Sequence, residues 1–140
     1  MVRRSWGSFP TTADMGIRAS GPTPSQLFEA MGLGLFALIT DLRTVRPREE
    51  RVVAATGVDL QDLSVDYLSR LLLLQQEEGF LAREIRVTLS GSPPTGLTAV
   101  VLGEPMDPDR HPRRIEVKAI TLHQLSVDLA RGRARVIVDI

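Results

Sequence analysis

Several features that mark familiar classes of protein are missing from this chain. It contains no cysteine, so disulfides, thiolate metal sites and cysteine nucleophiles are excluded. Aromatic residues make up only 4% of its 140 residues, which argues against a surface for stacking bases. Seventeen basic residues balance seventeen acidic ones, whereas a dedicated nucleic-acid binder normally carries a basic excess. We therefore expect any work on RNA to be indirect, through a partner.

Long apolar segments are absent as well. The start, MVRRSWGSFP, is basic but lacks the apolar core of a signal peptide. The longest apolar run, GLGLFALI, is far too short to span a membrane. A hydrophobic content of 43% is that of an ordinary globular protein. We expect a cytoplasmic protein without membrane contact, folded as one domain over residues 1–140.

Hydrophobic periodicity predicts an α+β fold. A capping box at Thr23 predicts a helix over 24–39, and Asp59 begins a second helix that ends at Gly79. Period-2 alternation and turn residues predict strands in TADMGIRASG, RVVAA, 81–89, 97–103, IEVKAITLHQLSVDL and RARVIVDI. Consecutive hairpins toward the end favour two layers: a mostly antiparallel or mixed sheet with both helices packed on one face.

Two glycines, Gly32 and Gly34, fall inside the first predicted helix. Each lowers helix stability relative to alanine, and the stretch around them does not match a phosphate-binding loop. We predict that they allow the helix to pack closely against the sheet.

The last residues alternate in a way that continues to the end of the sequence, although chain ends usually fray. A two-residue turn at Arg131 and Gly132 would pair this final strand with the strand before it, and would place Ile140 opposite His123. In that register Lys118 shares a face with Asp139 but lies six residues, or ~20 Å, from its pairing position. We therefore expect Lys118 to lie outside any site that Asp139 forms.

Three stretches, in order, resemble the archease family. TADMGIRASGPTPSQLFEAMGLGLFALITD is similar to its amino-terminal motif, HPRRIEVKAITLHQLSV to its strand motif, and RARVIVDI to its carboxyl end. Together they extend the resemblance over nearly all 140 residues. Where the family commonly reads Asp-His-Thr-Ala-Asp, this sequence has Pro10 and Thr11 in the first two places, so the histidine is absent, but Asp14 is retained.

The resemblance implies an accessory protein rather than an enzyme. Archeases assist the RtcB-type RNA ligase, which joins tRNA exon halves through a guanylate carried on a histidine, and they promote its activation and repeated turnover. The family also binds a divalent ion, which implies Ca²⁺ here, with Mg²⁺ or Mn²⁺ as alternatives. Its acidic positions fall on Asp14 and Asp139 with the carboxylate of Ile140, and its functional lysine falls on Lys118.

The chemistry of these residues is compatible with that implication. Carboxylates offer only hard oxygen ligands, which suit calcium or magnesium, and three of them brought together would repel unless a cation lay between them. Asp41, which follows the first helix, is a second-rank ligand. We assign Lys118 to contact with a partner or with a nucleotide phosphate. The alternatives are a solvated Lys118 and, for Asp14 and Asp139, simple pairing with surface arginines.

The two histidines are weaker candidates. His111 could join Asp107 and Asp109 as a ligand, but a proline-rich surface loop explains all three, and their spacing matches no calcium-loop template. His123 falls on the apolar face of its predicted strand, where a lone histidine is usually a core residue. We therefore expect neither to bind a metal.

Two other functions stay open. Oxygen ligands could position a Mg²⁺ and a water, as in a stand-alone metal-dependent enzyme acting on nucleotide or phosphate substrates. A neutral surface is equally compatible with a chaperone-like binding module. Recognisable catalytic motifs are absent from the sequence, which argues against the enzyme.

Overall fold

A computed structural model describes residues 2–11 and 14–140. The strands are β1 (Ser5–Pro10), β2 (Asp14–Ser20), β3 (Glu49–Thr56), β4 (Phe80–Ser90), β5 (Gly96–Pro105), β6 (Ala119–Ile120), β7 (Ser126–Asp128) and β8 (Arg133–Asp139). The helices are α1 (Pro24–Ile39) and α2 (Leu60–Glu78), and a short 3-10 turn covers Leu42–Thr44. Within the described residues, neither helix is long and apolar enough to cross a membrane.

The strands divide between two antiparallel sheets. Five strands form one sheet, in the order β1-β2-β8-β6 with β7 also paired to β8, and three form the other, in the order β3-β5-β4. The α+β class is confirmed, but the prediction is corrected in one respect, because there are two sheets and each helix contacts both. The reason is visible in α1, of which eleven of sixteen residues are buried, since a helix that is apolar on most sides must be covered on most sides.

Both helices begin, and α2 ends, where the capping residues predict. The hydroxyl of Thr23 accepts a hydrogen bond from the backbone N–H of Gln26 at 3.2 Å, and the carboxylate of Asp59 accepts one from Asp62 at 2.8 Å. Gly79 ends α2 in the left-handed conformation, with φ 66°, which a glycine adopts at no steric cost.

Close packing explains the two glycines of α1, as predicted. A Cβ atom at Gly34 would lie 2.6 Å from Cγ2 of Ile17 on β2. One at Gly32 would lie 2.7 Å from Cδ1 of Ile85 on β4. Both separations are shorter than van der Waals contact, so glycine brings α1 close to both sheets.

Strand β1 was not predicted. Its sequence, SWGSFP, has no period-2 alternation and contains a glycine and a proline, which are depleted in strands. It forms because it pairs with β2 along its whole length, from Ser5 opposite Ser20 to Pro10 opposite Met15. Tertiary pairing therefore overrides a weak local preference.

The long strand predicted over 115–129 is wrong. Only its short segments β6 and β7 pair with β8, and their registers differ by three residues, because Ala119 lies opposite Asp139 whereas Val127 lies opposite Ala134. Residues 121–125 take up the difference, with Gln124 at φ 52°. The turn before β8 covers residues 129–132 rather than two residues. The chain end consequently lies beside the residues that precede β6, not beside His123.

Candidate functional site

Strands β2 and β8 bring Asp14 and Asp139 together. The two residues are direct cross-strand partners, so their side chains project to the same face with Cβ atoms ~5 Å apart. Val136 and Val138 of β8 are buried in the core, whereas Asp139 is exposed. By the alternation of a strand, the pair of carboxylates lies on the outer face of the five-stranded sheet.

Neither carboxylate has a cationic partner within the described residues, where every ion pair is formed by other groups. Like charges directly opposite each other in a sheet are destabilising. A hard cation bound between the carboxylates would remove that repulsion and use their oxygen atoms as ligands. The donor chemistry of the pair therefore fits Ca²⁺, Mg²⁺ or Mn²⁺.

Two side-chain carboxylates do not make a complete metal site. Among residues 2–11 and 14–140, no three His, Cys, Asp or Glu side chains are grouped so that they could hold a metal ion. Ile140 follows Asp139 and is 42% exposed, and its carboxylate is the third oxygen ligand that the sequence predicts. Water molecules would fill the remaining positions.

Thr11 supports the start of β2 at the point where the sequence departs from the family motif. Its hydroxyl accepts a hydrogen bond from the backbone N–H of Asp14 at 3.2 Å, and its own N–H donates to the carbonyl of Asp14 at 3.2 Å. Thr12 and Ala13, which we included in the first predicted strand, lie outside the described residues. Thr11 thus fixes the backbone of Asp14 from one side.

Lys118 lies next to Asp139, contrary to our expectation. Its backbone N–H donates a hydrogen bond of 2.8 Å to the carbonyl oxygen of Asp139, and its side chain is exposed. The predicted separation of six residues is wrong because the register shift moves the segment before β6 alongside the chain end. Lys118 is also the one lysine in the sequence.

Asp41 is held by arginines. It caps the short 3-10 turn, its carboxylate accepts hydrogen bonds from the side chain of Arg43 at 2.8 and 3.0 Å, and Arg114 lies 3.6 Å away. The hydrogen bonds from the side chain and backbone of Arg43 lower the pKa of Asp41 to about 2. A carboxylate already neutralised in this way is a poor addition to the pair formed by Asp14 and Asp139.

His111 belongs to a buried polar network. Its Nδ1 accepts a hydrogen bond from the backbone N–H of Asp107 at 2.8 Å, so the Nε2 proton points toward Glu104, whose Oε2 lies 3.0 Å away. Arg110 donates to the other oxygen of Glu104 at 2.6 Å. These contacts give His111 a structural role within the loop. The loop explanation of its motif is therefore the one that the geometry supports.

His123 is exposed rather than in the core. The prediction was wrong because it assumed a continuous strand, and residues 121–125 instead form a turn. Leu122 beside it is 67% exposed, so the alternation of apolar residues in this segment does not correspond to an inner and an outer face.

Comparison with known proteins gives the context for this geometry. The archease protein family matches residues 6–140. Curated proteins named archease are 39% identical over 133 residues in Thermococcus gammatolerans, with 93% of each chain covered, and 38% identical over 138 residues in Methanopyrus kandleri, with 96% of this chain and 99% of that one covered.

Solved structures share the fold. A solution structure of a Methanobacterium thermoautotrophicum protein matches with a TM-score of 0.83 and 32% identity, covering 99% of this chain and 100% of that one. A Thermotoga maritima crystal structure, described as an archease and possible chaperone, matches with a TM-score of 0.61 and 18% identity over 94% of each chain. The family match over almost the whole sequence and these relatives show that the chain belongs to the archease family.

Proposed function

We propose that this protein is a non-enzymatic activator of an RtcB-type RNA ligase, and that it works with a bound divalent cation. Membership of the archease family supports the accessory role. The observation that carries the proposal is the position of Asp14 opposite Asp139, without a cationic partner in the described residues, beside the single lysine of the chain. This arrangement can bind an ion and a phosphate but offers no evident nucleophile.

The carboxylates and the lysine have different roles under this proposal. Asp14, Asp139 and the carboxylate of Ile140 hold the ion, with Ca²⁺ the first choice and Mg²⁺ or Mn²⁺ the alternatives. The ion supplies positive charge that can face the phosphates of a nucleotide in the ligase active site. The exposed ammonium of Lys118 adds a second positive charge near the same edge of the sheet. Two positive centres side by side suit the transfer of a guanylate to the ligase.

The ligase, and not this protein, carries out the chemical step. Under this proposal the protein docks with its outer sheet face toward the ligase, in the cytoplasm, and promotes guanylylation and repeated turnover in tRNA splicing or RNA repair. The cognate ligase supplies the histidine and the GTP site. The acidic pair is therefore a positioning element for the nucleotide.

Ligation turnover tests the proposal. A limiting amount of cognate ligase is mixed with GTP, Mn²⁺ and an excess of broken RNA, and the ligations per ligase are counted with and without this protein. We expect many turnovers with the wild-type chain and about one without it. Asp14→Asn should lose the effect, while Asp109→Asn, which removes an exposed carboxylate in the loop after β5, should retain it.

Three outcomes would contradict the proposal. Equal turnover with and without the protein would remove the activator function. Hydrolysis of GTP by the isolated chain, abolished by Asp14→Asn, would favour the stand-alone enzyme instead. Suppression of aggregation of unrelated proteins by both the wild type and Asp14→Asn, without an effect on ligation, would favour a chaperone-like module.

A further inference from the structure

An open groove of about 880 Å³ lies against the five-stranded sheet, between β1, β2, β7 and β8. Five arginines line it: Arg3, Arg18, Arg131, Arg133 and Arg135. Asp128 is the one acidic residue among the described residues of its wall. The groove therefore concentrates positive charge that the composition conceals. Twelve basic and sixteen acidic residues remain elsewhere in the chain, which is why the net charge is zero.

Most of these arginines are not neutralised. Arg131 lies 3.7 Å from Asp128. Within the part of the chain that the structure describes, the other four form no ion pair. A surface arginine is usually solvated on its own, but four unpaired arginines around one concave surface create a strong positive potential.

Two of the arginines face each other across neighbouring strands, although their like charges repel. Arg18 on β2 and Arg135 on β8 are direct cross-strand partners, a like-charge arrangement that destabilises a sheet. The guanidinium carbon of each lies 4.6 Å from the centre of the Phe9 ring, which holds both side chains over the sheet. The ring compensates part of the repulsion, and a bound anion would remove the rest.

The arginines of the groove repeat along one strand. Arginines at alternate positions of β8, Arg133 and Arg135, are ~6.6 Å apart along the strand, a spacing similar to that of successive phosphates in an extended single strand. A positively charged groove that follows the backbone is one of the usual features of proteins that bind single-stranded nucleic acid. Trp6 of β1 lies opposite Ala19, and its Cβ would be 3.2 Å from a Cβ at Gly34 of α1, so its side chain starts on the helix side of the sheet and not on the face of the arginines.

We infer that this groove binds the phosphate backbone of a single RNA strand directly. An acidic protein surface would also satisfy the arginines, but the regular spacing of Arg133 and Arg135 along β8 favours a phosphodiester strand, which carries one negative charge per nucleotide. The choice of RNA over DNA rests on the proposed function, whereas the binding of a phosphodiester strand rests on the groove itself. Composition predicted only indirect contact with RNA, because net charge does not report how charge is distributed.

The groove and the acidic pair share one face of the sheet. Arg18 and Arg135 lie four residues along β2 and β8 from Asp14 and Asp139, or ~13 Å. A strand that leaves the groove at this end would reach the acidic pair within a few nucleotides. The groove thus directs an RNA end toward the edge of the protein that we propose faces the ligase.

Binding is tested on the isolated chain, without the ligase. A fluorescein-labelled uridine 12-mer is titrated with protein at 50 and 200 mM NaCl, and anisotropy gives Kd at each salt concentration. Each neutralised phosphate of a single strand contributes about 0.7 to the slope of log K against log salt, so five arginines predict a slope of about −3.5.

A charge-matched pair of variants locates the binding. The double variant Arg18→Gln, Arg133→Gln should weaken binding by about tenfold at 50 mM NaCl and reduce the slope by about 1.4. Arg70→Gln, Arg86→Gln loses the same charge from α2 and β4, and should bind as the wild type does. The groove variant should keep or raise its melting temperature, since it removes a like-charge contact.

The inference fails if the wild-type chain shows no salt-dependent binding, or if the control pair weakens binding as much as the groove pair. It also fails if polyglutamate displaces the RNA at equal charge concentration, which would identify an acidic protein as the occupant. RNA binding by a wild-type chain that has no effect on ligation turnover would overturn the ligase proposal but not the binding of a phosphodiester strand in the groove. Equal affinity for a thymidine 12-mer would contradict the choice of RNA alone.

Discussion

The backbone N–H of Lys118 donates its hydrogen bond to the carbonyl oxygen of Asp139, not to its side chain. Main-chain pairing therefore brings the two residues together, and either side chain can be changed while the backbone of the other keeps its position. This separates the two halves of the proposed site experimentally.

Lys118→Gln should leave metal binding unchanged and remove the activation of the ligase. The backbone bond to Asp139 does not depend on the side chain, so the carboxylates keep their geometry. Calorimetric titration with Ca²⁺ measures the first effect and ligation turnover the second. Lys118→Arg retains the charge and should retain part of the activation, whereas a parallel loss of Ca²⁺ affinity in Lys118→Gln would place the lysine in the metal site.

Asp139→Asn should make the protein more stable than the wild type without metal and less stable than the wild type with metal. Without metal it removes like-charge repulsion, so the free energy of unfolding should rise by about 0.2–1 kcal/mol. At a Ca²⁺ concentration of about 100 Kd the wild type should gain about 2.7 kcal/mol, and the variant much less. Urea unfolding in EDTA and in Ca²⁺ gives both values.

The matched control for that experiment is Asp109→Asn, at an exposed position outside the site, which should change neither value. Adding two glycines after Ile140 moves the terminal carboxylate away and should weaken Ca²⁺ binding by about tenfold, as expected for the loss of one ligand in a modest site. Unchanged affinity in the extended chain would exclude that carboxylate as a ligand.

Glu104 should contribute stability that depends on pH. Burial alone would raise its pKa, but hydrogen bonds from Arg110, the backbone of Arg46 and His111 outweigh burial and lower the pKa to about 2. A carboxyl group with a lowered pKa in the folded state stabilises the protein fully above its ordinary pKa, near 4.5, and that stability is lost as the pH falls toward 2.

Glu104→Gln should therefore cost about 2 kcal/mol at pH 7, because an amide nitrogen replaces one acceptor facing buried donors. The difference from wild type should shrink between pH 4.5 and 2, which urea unfolding at a series of pH values measures. Glu84→Gln, whose side chain is 47% exposed and 3.7 Å from Arg86, should cost less than ~0.5 kcal/mol at every pH. A cost at Glu104 that does not depend on pH would contradict this assignment.

Gly34→Ala should destabilise the protein although alanine is the better helix former. Alanine gains about 1 kcal/mol in helix propensity, but its Cβ would lie 2.6 Å from Cγ2 of Ile17, and overpacking of this kind costs about 1–3 kcal/mol. Thermal unfolding should show a lower melting temperature. Gly7→Ala, where a Cβ meets nothing within 4 Å, should not lower it.

The sequence alone was sufficient wherever the signal is local. Thr23, Asp59 and Gly79 set the helix boundaries because caps act on backbone groups within a few residues of themselves. The glycines of α1 predicted close packing, and the alternation in the last eight residues predicted a strand to the final residue, of which Arg133–Asp139 is formed. Three motifs in order were enough to identify the family.

Tertiary structure decided everything that depends on which strands pair and in what register. β1 forms because it pairs with β2. Lys118 lies beside Asp139 because the register on β8 shifts by three residues across the turn at 121–125. The groove is the clearest case, since its arginines come from both ends of the chain. Hydrogen-bond pairing between distant segments selects among registers that the pattern of apolar residues leaves nearly equal, and only folding makes that choice.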